Sequence, residues 1–178
     1  MKKQKLMYAV MYLVIVANAT WATADKKSLQ TYNSVVVQPF ETAVEGTFGL
    51  PDATRSAVIQ AVKEGNVFPQ VLTPEQSKAG EGSEQKVPSL KLEGRLVDFA
   101  GGNAAKRLMV GFGSGRAHAT FLFQLKDEAS GEIVWEKRLK QTASFWFNST
   151  TSSAAERAEL PEGLAKQLSK ELKKQMGK

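Results

Sequence analysis

Cysteine is absent from all 178 residues, and that closes several routes at once. Without thiols there is no disulfide, no thiolate metal site and no thioether-linked lipid anchor of the kind that follows an apolar export segment. Histidine is nearly absent too. A lone His118 cannot build a histidine-rich metal centre, and no His-Glu-x-x-His helix occurs. Gly-x-Ser-x-Gly elbows and P-loop endings of the Gly-Lys-Ser/Thr type are missing as well. No cofactor and no metal are expected. Long apolar runs are scarce: Leu6 to Ala17 is the longest, and it falls short of the about 20 residues that span a bilayer.

That run has a specific context. Lys2, Lys3 and Lys5 precede it, no acid accompanies them, and Ala22-Thr23-Ala24 follows it. A positive start, a short apolar middle and a small-x-small exit are the three parts of a secretory signal peptide. Residues 1–24 are therefore read as a signal peptide cleaved after Ala24, residues 25–33 as a flexible start and 34–178 as one domain. The net charge of +6 falls once the leader is gone. Removing three lysines leaves 21 basic against 18 acidic residues, a net +3. A surplus this mild, with no clustered basic face evident, gives no reason to expect nucleic acid as a partner.

Periodicity sets the fold class. Ser34 to Phe40 (SVVVQPF) is β-branched and closed by Pro39, so it reads as a strand. Pro51-Asp52 opens a helical pattern carried by Ala57, Val58, Ala61 and Val62 and stopped by Gly65. Val67 to Thr73 reads as a short strand, and the polar Pro74 to Lys86, with Gly80 and Gly82, as a mobile loop. Ser89 to Phe99 alternates strictly: Leu90, Leu92 and Leu96 share one face, Lys91, Glu93 and Arg95 the other. Arg116 to Asp127 places Ala117, Ala119, Phe121, Phe123 and Leu125 together. Glu132 to Phe147 does the same with Ile133, Trp135, Leu139, Ala143 and Phe145. The intervening Asp127-Glu-Ala-Ser-Gly131 has hairpin-loop chemistry. The end is helical, with Ser153 and Glu156 in capping-box spacing. Leu160, Leu164, Leu168, Leu172 and Met176 recur every four residues, and Pro161 kinks this helix or starts a second one. The expectation is α+β: a mostly antiparallel sheet of about five strands, with an early helix and a C-terminal helix packed on one face.

Few residues offer chemistry. Ala100 to Arg116 (AGGNAAKRLMVGFGSGR) joins two strands and is rich in glycine. Lys106, Arg107, Gly111, Gly113, Gly115 and Arg116 form a possible anion-binding set, since glycine backbones make nests and the cations sit close by. The competing reading is a long connection whose alternate glycines enter the next strand for backbone reasons. His118 can act as a general base only beside a nucleophile and an orienting acid, and its immediate sequence neighbours supply neither. Asp98, Asp127 and Glu128 are the carboxylates near strand ends, and turn chemistry accounts for Asp127. Phe145-Trp146-Phe147 is a candidate stacking surface. No catalytic set emerges.

Gly94, Phe99, Gly101, Gly102, Arg107, Gly111, Gly113, Gly115, Asp127, Gly131 and Glu132 form a spaced pattern across the middle third of the chain. This pattern resembles a bacterial envelope domain-of-unknown-function family, DUF4410-like. The part that begins with VVVQPF is also similar to the amino-terminal α/β domains of curli-pore and TolB types. The resemblance implies an envelope address and a fold, and no reaction. Many members of these groups carry a lipid-anchor cysteine, so tethering does not transfer to this chain. The functional expectation is an exported, periplasmic, non-enzymatic binding or assembly component. Its partner would be another envelope protein or a copy of itself, with no transmembrane segment in the mature chain and no lipid anchor. The alternative is a hydrolase on an anionic envelope substrate, using the glycine loop with Arg107, Arg116 and His118.

Overall fold

Three consecutive valines at the first strand are all buried: Val35, Val36 and Val37 are essentially inaccessible. A strand buried on both faces belongs inside a sheet, with cover above and below. The computed structural model describes residues 28–47, 49–79, 88–102, 116–143 and 153–178. In chain order the elements are β1 (Ser34–Val37), β2 (Glu41–Thr42), α1 (Leu50–Glu64), β3 (Gln70–Leu72), α2 (Pro74–Ala79), β4 (Ser89–Ala100), β5 (His118–Asp127), β6 (Ile133–Thr142) and α3 (Ser153–Gln175). The strands form a six-stranded sheet in the order β3-β1-β4-β5-β6, with β2 also on β4.

The expected α+β class holds. Most paired residues lie in the antiparallel β4–β5 and β5–β6 ladders, which the alternating sequence had indicated. β1 is different. It pairs in parallel with both β3 and β4, because helices intervene in the connections and return the chain to the same end. β2 continues β1 along β4 after a break. Val37 faces Leu92 and Glu41 faces Arg95, so four steps on one strand match three on the other. Pro39 sits in the break, where it has no N–H to give to a ladder.

One face of the sheet carries the main core. Leu90, Leu92 and Leu96 of β4 meet Phe121, Phe123 and Leu125 of β5, and all six are fully buried. Phe121 and Phe123 stack with centroids 5.6 Å apart, and Phe40 meets Phe123 edge-on at 5.7 Å. Gly94 makes room for Phe40. A Cβ there would fall 2.8 Å from the ring, so close approach explains this glycine. α1 and α3 cover this face and touch each other. α1 lies over β3 and β4, burying Val58 and Val62; α3 lies over β5 and β6, burying Leu160, Leu164, Leu168 and Leu172. The leucine stripe thus belongs to the domain's own core. α3 runs through Pro161 as one helix, so no second helix starts there.

Several expectations need correction. The segment read as a mobile loop from Pro74 begins with α2, whose packing on β1 and β3 a polar sequence does not reveal. Within the stretch read as a flexible start, Leu29–Thr31 is a 3-10 turn, and Leu29 and Tyr32 are 6% and 3% exposed. Ile133 leaves the core face and stands 47% exposed. A β-bulge shifts the register between Leu125 and Lys126, so Ile133 faces Lys126 while Trp135 faces Leu125. One extra residue reverses which way the strand's first side chain points.

Candidate functional site

The opposite face of β4, β5 and β6 has no helix over it among the described residues. Alternation places Lys91, Glu93 and Arg95 of β4 there, with Leu122, Gln124 and Lys126 of β5 and Glu136, Arg138 and Lys140 of β6. A shallow hollow of about 600 Å³ lies on this face. Its floor is Glu93, Gly94, Arg95, Leu122, Gln124 and Lys126, and its rim is Gln38, Pro39 and Glu41. The rim residues come from the break between β1 and β2 and from the first residue of β2, so the proline that interrupts the strand also shapes the hollow.

Charges on this face neutralise one another across strands. Lys126 Nζ lies 2.6 Å from Glu93 Oε2, and Gln124 Nε2 donates to Glu136 Oε2 at 2.5 Å. Lys91 and Glu128 approach within 3.6 Å. These groups are partly exposed, so each pair contributes little to stability, on the order of 0–1 kcal/mol. Arg95 is exposed and faces Leu122 across the ladder. The surface is therefore wide, polar and open, without the enclosure that small-molecule sites have.

His118 has an acid beside it after all. Its Nε2 lies 3.2 Å from Asp98 Oδ2, and Thr120 Oγ1 donates weakly to the same oxygen at 3.5 Å. Twenty residues separate Asp98 from His118, so only the β4–β5 ladder reveals the pair. A bulge between Leu96 and Asp98 puts Asp98 opposite Thr120 and brings all three to one face. A second polar pair ties the start of the chain to the β5–β6 hairpin. The Tyr32 phenol donates to Asp127 Oδ2 at 2.7 Å, while Asp127 Oδ1 accepts from the backbone N–H groups of Ala129 and Ser130, each at 2.9 Å. Asp127 thus does the turn work expected of it. Burial first, then the bond to Asp127, pushes the Tyr32 phenol up to about 12.

Of the possible anion-binding set, Arg116 is half-buried at the entry to β5. Lys106, Arg107, Gly111, Gly113 and Gly115 lie outside the described residues, as do Phe145, Trp146 and Phe147. Among the described residues no three acidic or histidine side chains gather as a metal site, and no helix is long and apolar enough to cross a membrane. The hollow on the open face was not anticipated. Its signal was available in the polar positions of β4 and β5, but strand order and the Pro39 break were needed to bring them to one surface.

A family model described as "Domain of unknown function (DUF4410)" matches residues 48–143. No curated protein matches the chain in sequence. Solved structures share its fold. The PelC dodecamer from Paraburkholderia phytofirmans aligns at TM-score 0.50 and 15% identity, covering 76% of this chain and 88% of that one. A Xanthomonas campestris protein of the DUF330 family aligns at TM-score 0.50 and 14% identity, over 80% and 82%. A hypothetical protein from Chlamydia trachomatis aligns at TM-score 0.51 and 7% identity, over 82% and 98%.

Proposed function

Given that the chain belongs to the DUF4410 family, whose description names no activity, we propose that it is an exported, periplasmic, non-enzymatic component of the bacterial envelope that works by assembling with copies of itself. The observation that carries this reading is the uncovered face of β4, β5 and β6. A two-layer α+β fold leaves part of one sheet face without its own cover, and here the part formed by β4, β5 and β6 is broad, shallow and lined by alternating charges. Such a surface suits a polar protein–protein contact, where charge pattern sets register and rejects wrong partners. The dodecameric state of the PelC structure supports the reading by showing that this fold accommodates assembly of copies. Export rests on the Lys2–Ala24 pattern.

The test combines location and mass. The protein should leave cells with the periplasmic contents and begin at Asp25. Native mass spectrometry of that material should show multiples of the mature mass, and Glu93→Arg with Glu136→Arg should return it to the monomer without lowering its melting temperature. A parent that is monomeric at all concentrations overturns self-assembly. Turnover of a phosphate ester or a peptidoglycan fragment, lost in His118→Ala, would instead establish the hydrolase reading through the His118–Asp98 pair.

A further inference from the structure

α1 and α3 run in parallel. Ser169 Oγ donates to the Ala61 carbonyl at 3.1 Å, and just past the ends of both helices Lys178 Nζ donates to the Asn66 and Val67 carbonyls. Both C-terminal ends therefore lie at the same end of the helical layer. Lys166, Lys170, Lys173 and Lys174 follow one another along this part of α3. Between the helices is a hollow of about 380 Å³ lined by Lys166, Ser169, Lys170 and Lys173 of α3 and by Ala61 and Glu64 of α1, with Gly65 just past its end. Its floor is made of small side chains, and Glu64 is the single carboxylate in the lining.

Helix-end electrostatics explains only part of this cluster. A helix dipole favours cations within its last turn, which accounts for Lys173 and Lys174. Lys166 and Lys170 lie more than a turn before the end of α3. They are exposed, and Lys166 has only a loose 3.8 Å partner in Glu162. We infer that this end of the helical layer docks on the surface of an anionic phospholipid bilayer, with headgroup phosphates drawn to the three-lysine hollow. Charge complementarity chooses the partner. Lysine is a point charge on a flexible stem, suited to a diffuse layer of phosphates rather than to bidentate readout. The cluster carries no aromatic platform, so base or sugar stacking has no surface to use. Insertion is not part of the contact, because the large exposed hydrophobic among the described residues is Ile133, on β6. Docking of this kind leaves the open sheet face pointing away from the bilayer. It requires an envelope location but not self-assembly.

The experiment is vesicle flotation with the protein recovered after export. One set of vesicles holds phosphatidylglycerol and phosphatidylcholine in equal parts, the other phosphatidylcholine alone. The parent should float with the anionic vesicles only, and less as sodium chloride is raised. The variant with Lys166→Gln, Lys170→Gln and Lys173→Gln should bind on the order of a hundredfold more weakly, at roughly fivefold per lysine. A control with Lys78→Gln, an exposed charge on α2 outside both proposed surfaces, should bind as the parent does, in contrast to Lys170→Gln. Circular dichroism checks folding, and if the triple variant fails it, Lys170→Gln alone should weaken binding about fivefold. Equal flotation of parent and lysine variants, equal loss in the control, or no flotation of the parent overturns the proposal. Displacement by inorganic phosphate far beyond that by chloride at the same ionic strength also overturns it, in favour of a site for free phosphate.

Discussion

Replacing Tyr32 with phenylalanine isolates one buried interaction. The change removes a single oxygen and leaves the ring, so it opens no cavity. It deletes the 2.7 Å bond to Asp127 Oδ2, which is charge-assisted and almost fully shielded from water. Asp127 keeps two backbone donors on Oδ1, so its charge stays partly solvated. The expected loss is that of one buried hydrogen bond to a charged group, about 1.5–3 kcal/mol. In a domain of this size that lowers the melting temperature by about 4–10 °C. The pH dependence gives a second readout. The folded phenol titrates near 12 against 10 in the unfolded chain, so the folded state holds a proton that the unfolded state has lost. This part of the stability is complete below pH 10 and is lost as pH rises through about 12. Thermal melts of parent and Tyr32→Phe should therefore differ at neutral pH and converge as pH rises through that window. Coincident melts at neutral pH would refute the reasoning, and so would a gap that stays constant or widens with pH.

Other substitutions test the packing by the same melts. Phe121→Ala and Phe123→Ala should each cost about 3–5 kcal/mol, because both rings are fully buried and stacked. Lys126→Ala should cost less than about 1 kcal/mol, its pair with Glu93 being partly exposed; a similar cost in all three would mean the faces of β5 are misassigned. Gly94→Ala should destabilise by about 1–3 kcal/mol, since the Phe40 ring must move to admit the methyl group. Ile133→Ser should change stability by no more than about 0.5 kcal/mol, because the bulge has already turned this side chain to solvent.

Local pattern determined a good deal. Strict alternation in β4 and β5 assigned their faces, because a strand's period of two is written directly into sequence. The helix ending at Gly65 and the leucine-lined α3 were legible for the same reason, at a period of 3.6. The resemblance carried by Gly94, Phe99, Asp127 and Gly131 pointed to the family whose model matches. Pairing between distant segments was not legible. Parallel contact of β1 with β3 and β4, the continuation of β1 as β2 past Pro39, and the bulges at β4 and β6 arise from register, which depends on partners far along the chain. One bulge turned Ile133 outward; another brought Asp98 to His118. The burial of Tyr32 against Asp127 joins residues 95 apart. The same holds for the two surfaces on which function is proposed. Every charged residue of the open sheet face and of the lysine hollow was visible in the sequence, but a charge becomes part of a surface only when strand order and helix direction set its neighbours, and those are decided by tertiary packing.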